Sequence, residues 1–187
     1  MLRFLTPKPR PTVATLQALV RASWAKTGLP PAAPIATRPY GDGSVHVEVG
    51  DDGFDLVVEE RGVELERQSG LSLQDAAARF LMSYATAHGQ ARELTERRPP
   101  QGQKAAADGL CESGYARWNW MAIAILTARQ ISPALGARLY AQFHETLEHH
   151  PPSAQEQAAL RWTIAPIPRR IGDDHADVDP LAPPDPL

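Results

Sequence analysis

Cysteine is nearly absent from this chain: Cys111 is the only one in 187 residues. An intrachain disulfide is therefore impossible, and a reducing compartment fits. Long apolar runs are missing as well. No stretch approaches the roughly 18 residues of a membrane-spanning helix. The opening "MLRFLTPKPR" lacks an apolar segment of signal-peptide length before its prolines. These absences point to a cytoplasmic protein with no membrane partner. Positive charge is not in excess either. Lysine and arginine number 19 against 22 aspartates and glutamates, a formal net charge of −3, so nucleic acid is not an expected partner. Enzyme signatures are also lacking: there is no G-x-S-x-G, no phosphate-binding P-loop and no dinucleotide fingerprint. Cys111 has no base near it in sequence. "FHETLEHH" departs from the zinc-peptidase H-E-x-x-H pattern because position 148 is glutamate, which leaves His144 and Glu148 as an incomplete metal set. No catalytic residue, metal or cofactor is expected.

What is present reads as an α+β protein. Residues 1–10 form a loose lead, 11–165 a single domain and 166–187 a tail rich in proline and acid that is expected to be disordered. "PTVATLQALVRASWAKTG" is a helix by the spacing of Val13, Leu16, Val20 and Trp24, with Pro11 suited to its first turn and Gly28 ending it. A three-stranded antiparallel meander follows, packed on a long helix and a C-terminal helical hairpin. Ser72 caps the long helix, whose stripe is Leu73, Ala76, Ala77, Phe80, Leu81, Tyr84, Ala91 and Leu94, with Gly89 weakening its middle. "PPQGQKAAADG" is a linker. Ser132 and Pro133 open the second helix of the hairpin, Pro151 and Pro152 close it, and "SAQEQAALRW" holds a further short helix.

The meander raises the main functional question. Turns at 50–53 and at Arg61-Gly62 pair Val49 with Phe54, Val47 with Leu56, Val45 with Val58, and Val58 with Leu65, so the apolar set shares one face. The other face then carries Glu48, Asp55, Glu59, Glu64 and Glu66, with Glu59 directly opposite Glu64 and Arg67 pointing away with the apolar set. Like charges set opposite one another are destabilising. Three readings stand. The face is solvated and an arginine from elsewhere in the fold relieves the repulsion, or it is an acidic docking surface for a basic partner, or its carboxylates serve a small hydrolase, which requires a pocket that an open strand row does not supply. Among the aromatics, Trp118 aligns with Ala122 and Ile125 and belongs to the core, whereas Trp120 is the candidate exposed anchor beside Tyr115.

Several short motifs extend this reading: Glu60-Arg61-Gly62 at a hairpin tip, Glu93, Leu94 and Arg97 ending a helix, Arg117 opening the next, Ser132-Pro133 at a turn and His150-Pro151 at the end. Their order resembles the immunity protein 63 family of bacterial polymorphic toxin systems, over about residues 40 to 152. The resemblance implies a compact cytoplasmic binder without an active site, which neutralises a cognate toxin domain by covering its basic cleft. It also implies an ion-pair network of Glu60, Arg61, Glu93, Arg97 and Arg117 tying the meander to the long helix. The alternative is a different class of protein: a non-catalytic adaptor or chaperone-like interaction module.

Overall fold

The computed structural model describes residues 12–97 and 114–161. The expected lead, the linker, Cys111, Pro11 and the acidic tail lie outside the described residues. Helix α1 (Val13–Trp24) starts at Thr12, whose hydroxyl accepts the Thr15 N–H in a reciprocal capping box. A short 3-10 turn (Ala25–Thr27) ends it at Gly28, in the left-handed conformation that glycine reaches without a Cβ penalty. Strands β1 (Asp42–Val49), β2 (Phe54–Glu60) and β3 (Val63–Leu71) form an antiparallel sheet in the order β1-β2-β3. Helices α2 (Leu73–Glu96), α3 (Arg117–Ile131) and α4 (Pro133–His149) follow, with the short α5 (Ala154–Ala158) last. This is the α+β architecture the sequence predicts. Ser72 accepts the Asp75 N–H at the start of α2, and Ser132 accepts the Leu135 N–H at the start of α4 with Pro133 in its first turn. Among the described residues, no helix is long and apolar enough to cross a membrane.

The core lies where α1, α3 and the inner face of the sheet meet α2. Leu16, Val20, Val47, Phe54, Leu81 and Ile125 are all within 1 % of complete burial. The first half of the α2 stripe is as expected, with Ala76, Ala77, Phe80 and Leu81 buried and Leu73 and Tyr84 packed against the core. The second half departs: the buried line continues through Ala85, Gly89 and Glu93, while Leu94 is 54 % exposed and Ala91 also faces solvent. The reason is the close crossing of α2 and α3. A Cβ at position 89 would collide with the carbonyl oxygen of Trp120 and sit 3.1 Å from Ala124 N and 3.2 Å from its Cβ. Gly89 thus sets the helix–helix approach instead of marking a weak point.

At the start of α3, Asn119 exchanges hydrogen bonds with Ala159 and Arg161, and an ion pair from Arg117 holds α5. Glu156 accepts Arg117 Nε at 2.7 Å and Nη2 at 3.0 Å, and also the Ser153 N–H at 3.0 Å. The Arg117 guanidinium, with these N–H donors, holds the carboxyl down at about 2. A depressed folded-state value favours the folded protein above the ordinary carboxylate range and loses that contribution as pH falls from about 4.5 towards 2. Replacing Glu156 with Gln is therefore expected to cost about 1–2 kcal/mol at neutral pH. The same change should flatten the acid limb of the unfolding midpoint measured by circular dichroism. An acid limb identical to the parent's would show that the pair contributes nothing.

Candidate functional site

The sheet places the acidic residues through its register. The β1–β2 ladder is as the sequence predicts, with Val49 opposite Phe54, Val47 opposite Leu56 and Val45 opposite Val58. Val45, Leu56 and Phe80 line one small cleft, so that face is the one turned to α2. His46, Glu48, Asp55, Val57 and Glu59 then take the outer face. Next to the Arg61-Gly62 turn, where both residues have positive φ (52° and 81°), Glu59 does stand opposite Glu64.

Beyond that pair the expected register fails. Val58 pairs with Glu66, not Leu65, because a β-bulge leaves Leu65 unpaired and 59 % exposed. One extra residue exchanges the faces of everything that follows. Glu66 moves to the α2 side, where it lines the cleft with Arg79 and Gln68. Arg67, expected on the apolar side, lands opposite Val57 in the middle of the acidic face.

There Arg67 acts as a clamp. It donates Nη1 to Glu48 at 2.8 Å and to Asp55 at 3.1 Å, and it grips Glu64 with Nε at 3.0 Å and Nη2 at 2.8 Å. The guanidinium holds the Glu48 and Glu64 carboxyls below the usual range. Asp55 is lowered first by the Gly70 N–H, which donates at 3.0 Å, and then by Arg67. The three carboxylates in turn raise the Arg67 value. A second register shift, between the Phe54 and Leu56 pairs, falls around Gly70, whose φ is +69°, and this bulge accompanies the contact with Asp55. Beside the clamp His46 is 2 % exposed, with Nε2 3.4 Å from Glu48 and Nδ1 without a hydrogen-bond partner among the described residues.

The repulsion is therefore relieved within the meander, by one of its own arginines. Replacing Arg67 with Gln should lower the melting temperature and make it rise with added salt, since salt screens the carboxylates left facing one another. A melting temperature with the same salt response as the parent's would show that the clamp is energetically idle.

Charge remains in excess all the same. Four carboxylates share the outer face with one guanidinium, and Glu59 has no ion-pair partner among the described residues. Between Asp42 and Gln68 lie nine of the chain's 22 acidic residues and only two of its 19 basic ones. The small net charge of the whole chain conceals this asymmetry.

The expected ion-pair network is not one network. Glu60 and Arg61 sit at the hairpin tip, 3.9 Å apart and largely exposed. Arg117 pairs with Glu156 on α5. Glu93, 2 % exposed, takes Arg97 Nε at 3.0 Å and Nη2 at 2.7 Å, with Arg161 Nη2 at 3.8 Å. Two of these three pairs fasten helix ends, and none of the three joins the meander to α2. The sequence motifs identified charged residues correctly but could not supply their partners, because Glu156 and Arg161 lie in the segment after α4.

The two tryptophans are not divided as expected: both are half-buried and pack against the core. Trp120 meets Phe143 edge to face at 5.2 Å and donates its indole N–H to the Tyr115 hydroxyl at 3.3 Å. The Tyr115 ring in turn lies 4.9 Å below the Arg97 guanidinium. Trp118, expected in the core, packs against it with one side and with the other lines an open groove beside Tyr140 and His144. His144 and Glu148 do come together, at 3.3 Å, but among the described residues no group of three or more histidine, cysteine, aspartate or glutamate side chains could hold a metal ion. Compared with protein-family models, curated proteins and solved structures, the chain matches none of them.

Proposed function

We propose that the chain is a binding protein of the immunity type, which docks its acidic meander onto the basic cleft of a toxin domain and blocks it. The observation that carries this reading is the charge asymmetry: an excess of carboxylates on one sheet, three of them bridged by one internal arginine. A surface of one sign accelerates encounter with an oppositely charged partner and rejects partners of its own sign. The order of elements fits the resemblance to the immunity protein 63 family, although no family model supports it. The test is co-expression with the protein encoded directly upstream. A one-to-one complex and rescue of cells from that protein's toxicity support the proposal. A toxic neighbour that is neither bound nor neutralised overturns it.

Glu59 refines the test, since it faces Glu64 and makes no ion pair among the described residues. Replacing Glu59 with Gln should weaken the complex about three- to tenfold while leaving the melting temperature equal or slightly higher. Unchanged affinity with a lower melting temperature would remove Glu59 from the docking surface.

A further inference from the structure

An open groove of about 370 Å³ lies away from the meander, between the first turn of α3, the outer side of α4 and the segment around α5. Leu147, Pro152 and Leu160 form its aliphatic walls, and Leu160 is 42 % exposed. Trp118 and Tyr140 supply two aromatic rings, edge to face at 6.2 Å, and the His144 ring lies against Tyr140 at 5.7 Å. Among its described lining residues the groove has one carboxylate, Glu148, 3.3 Å from His144 Nδ1.

We propose that this groove seats an arginine side chain of a protein partner. Aliphatic walls suit the methylene stem, which such side chains bury while keeping the charged head accessible. Aromatic rings suit the guanidinium plane, and Glu148 offers it a carboxylate. Glu148, 62 % exposed and 3.3 Å from His144, would gain a cationic partner from an arginine but none from an apolar side chain. Its charge therefore favours a cationic occupant. This inference rests on reading the chain as a partner-binding protein, and it places a second anchor on a surface separate from the acidic sheet.

Its test needs no partner, so its failure is distinct from a failure of the immunity reading. The full chain is titrated with Nα-acetyl-arginine amide and, in parallel, with the uncharged citrulline analogue of nearly the same shape, while the tryptophan indole N–H resonances are followed by NMR. The expected result is a saturable shift of the Trp118 signal, with affinity in the millimolar range and about fivefold weaker binding of citrulline. Glu148→Gln, at a side chain 62 % exposed and so safe for the fold, should reduce the preference for arginine. The proposal is overturned if no saturable shift occurs, if citrulline binds as well as arginine, or if Nα-acetyl-leucine amide binds more tightly than either.

Discussion

Replacing Arg97 with Ala is expected to lower the stability by about 3 kcal/mol, because it strands the buried Glu93 carboxylate. Glu93 is 2 % exposed and receives two hydrogen bonds from Arg97; Arg161, at 3.8 Å, is too distant to replace them. Arg97 also leaves the Tyr115 ring, whose hydroxyl accepts the Trp120 indole N–H, so the substitution loosens the contact between the end of α2 and the start of α3. For a protein of this size the melting temperature should drop by roughly 6–12 °C. Replacing Glu93 with Gln in the Arg97→Ala background should recover part of the loss, since it removes the unpaired charge. Thermal unfolding of the two variants checks both statements. An unchanged melting temperature in Arg97→Ala would mean that Glu93 has sufficient partners without it.

Gly89→Ala is expected to destabilise the protein by about 2 kcal/mol, although alanine is the better helix former by roughly 1 kcal/mol. The added methyl meets backbone, the Trp120 carbonyl oxygen and Ala124 N, neither of which can rotate aside. To admit it, α2 and α3 must separate, and buried side chains near the crossing, such as Ala85 and Ile125, would lose contacts. Chemical denaturation with a linear extrapolation measures the difference. A more stable Gly89→Ala protein would show that the crossing is loose and that helix propensity governs this position.

The elements were legible in the sequence because their signals are local. Thr12 and Ser72 sit at the starts of helices, Gly28 at the end of one and Ser132-Pro133 at the turn between two, and the alternation of Val45, Val47 and Val49 fixed the face of β1. The candidate site was half legible. Glu48, Asp55, Glu59 and Glu64 fell on one face as their spacing requires, and the Glu59–Glu64 pair is real. Arg67 and Glu66 were assigned to the wrong sides because the bulge at Leu65 has no sequence mark comparable to a glycine turn, and one unpaired residue inverts the alternation after it. Trp118 and Trp120 are both half-buried against the core, not one inside and one outside, for a related reason. Helical phase gives direction along α3 but not which neighbours reach its first turn, and those are Tyr140 and Phe143 of α4. Likewise Ala91 and Leu94 extended an apolar stripe on paper, whereas the close crossing at Gly89 turned the helix so that Glu93 went inside.

The most direct measurement is the dissociation constant of the complex with the upstream-encoded protein at low and at high salt, for the parent chain and for Glu59→Gln. Docking through the acidic meander predicts a complex that weakens as salt rises, with a shallower dependence once Glu59 is neutral. A tight complex whose affinity is indifferent both to salt and to Glu59 would contradict it and place the binding surface elsewhere on the fold.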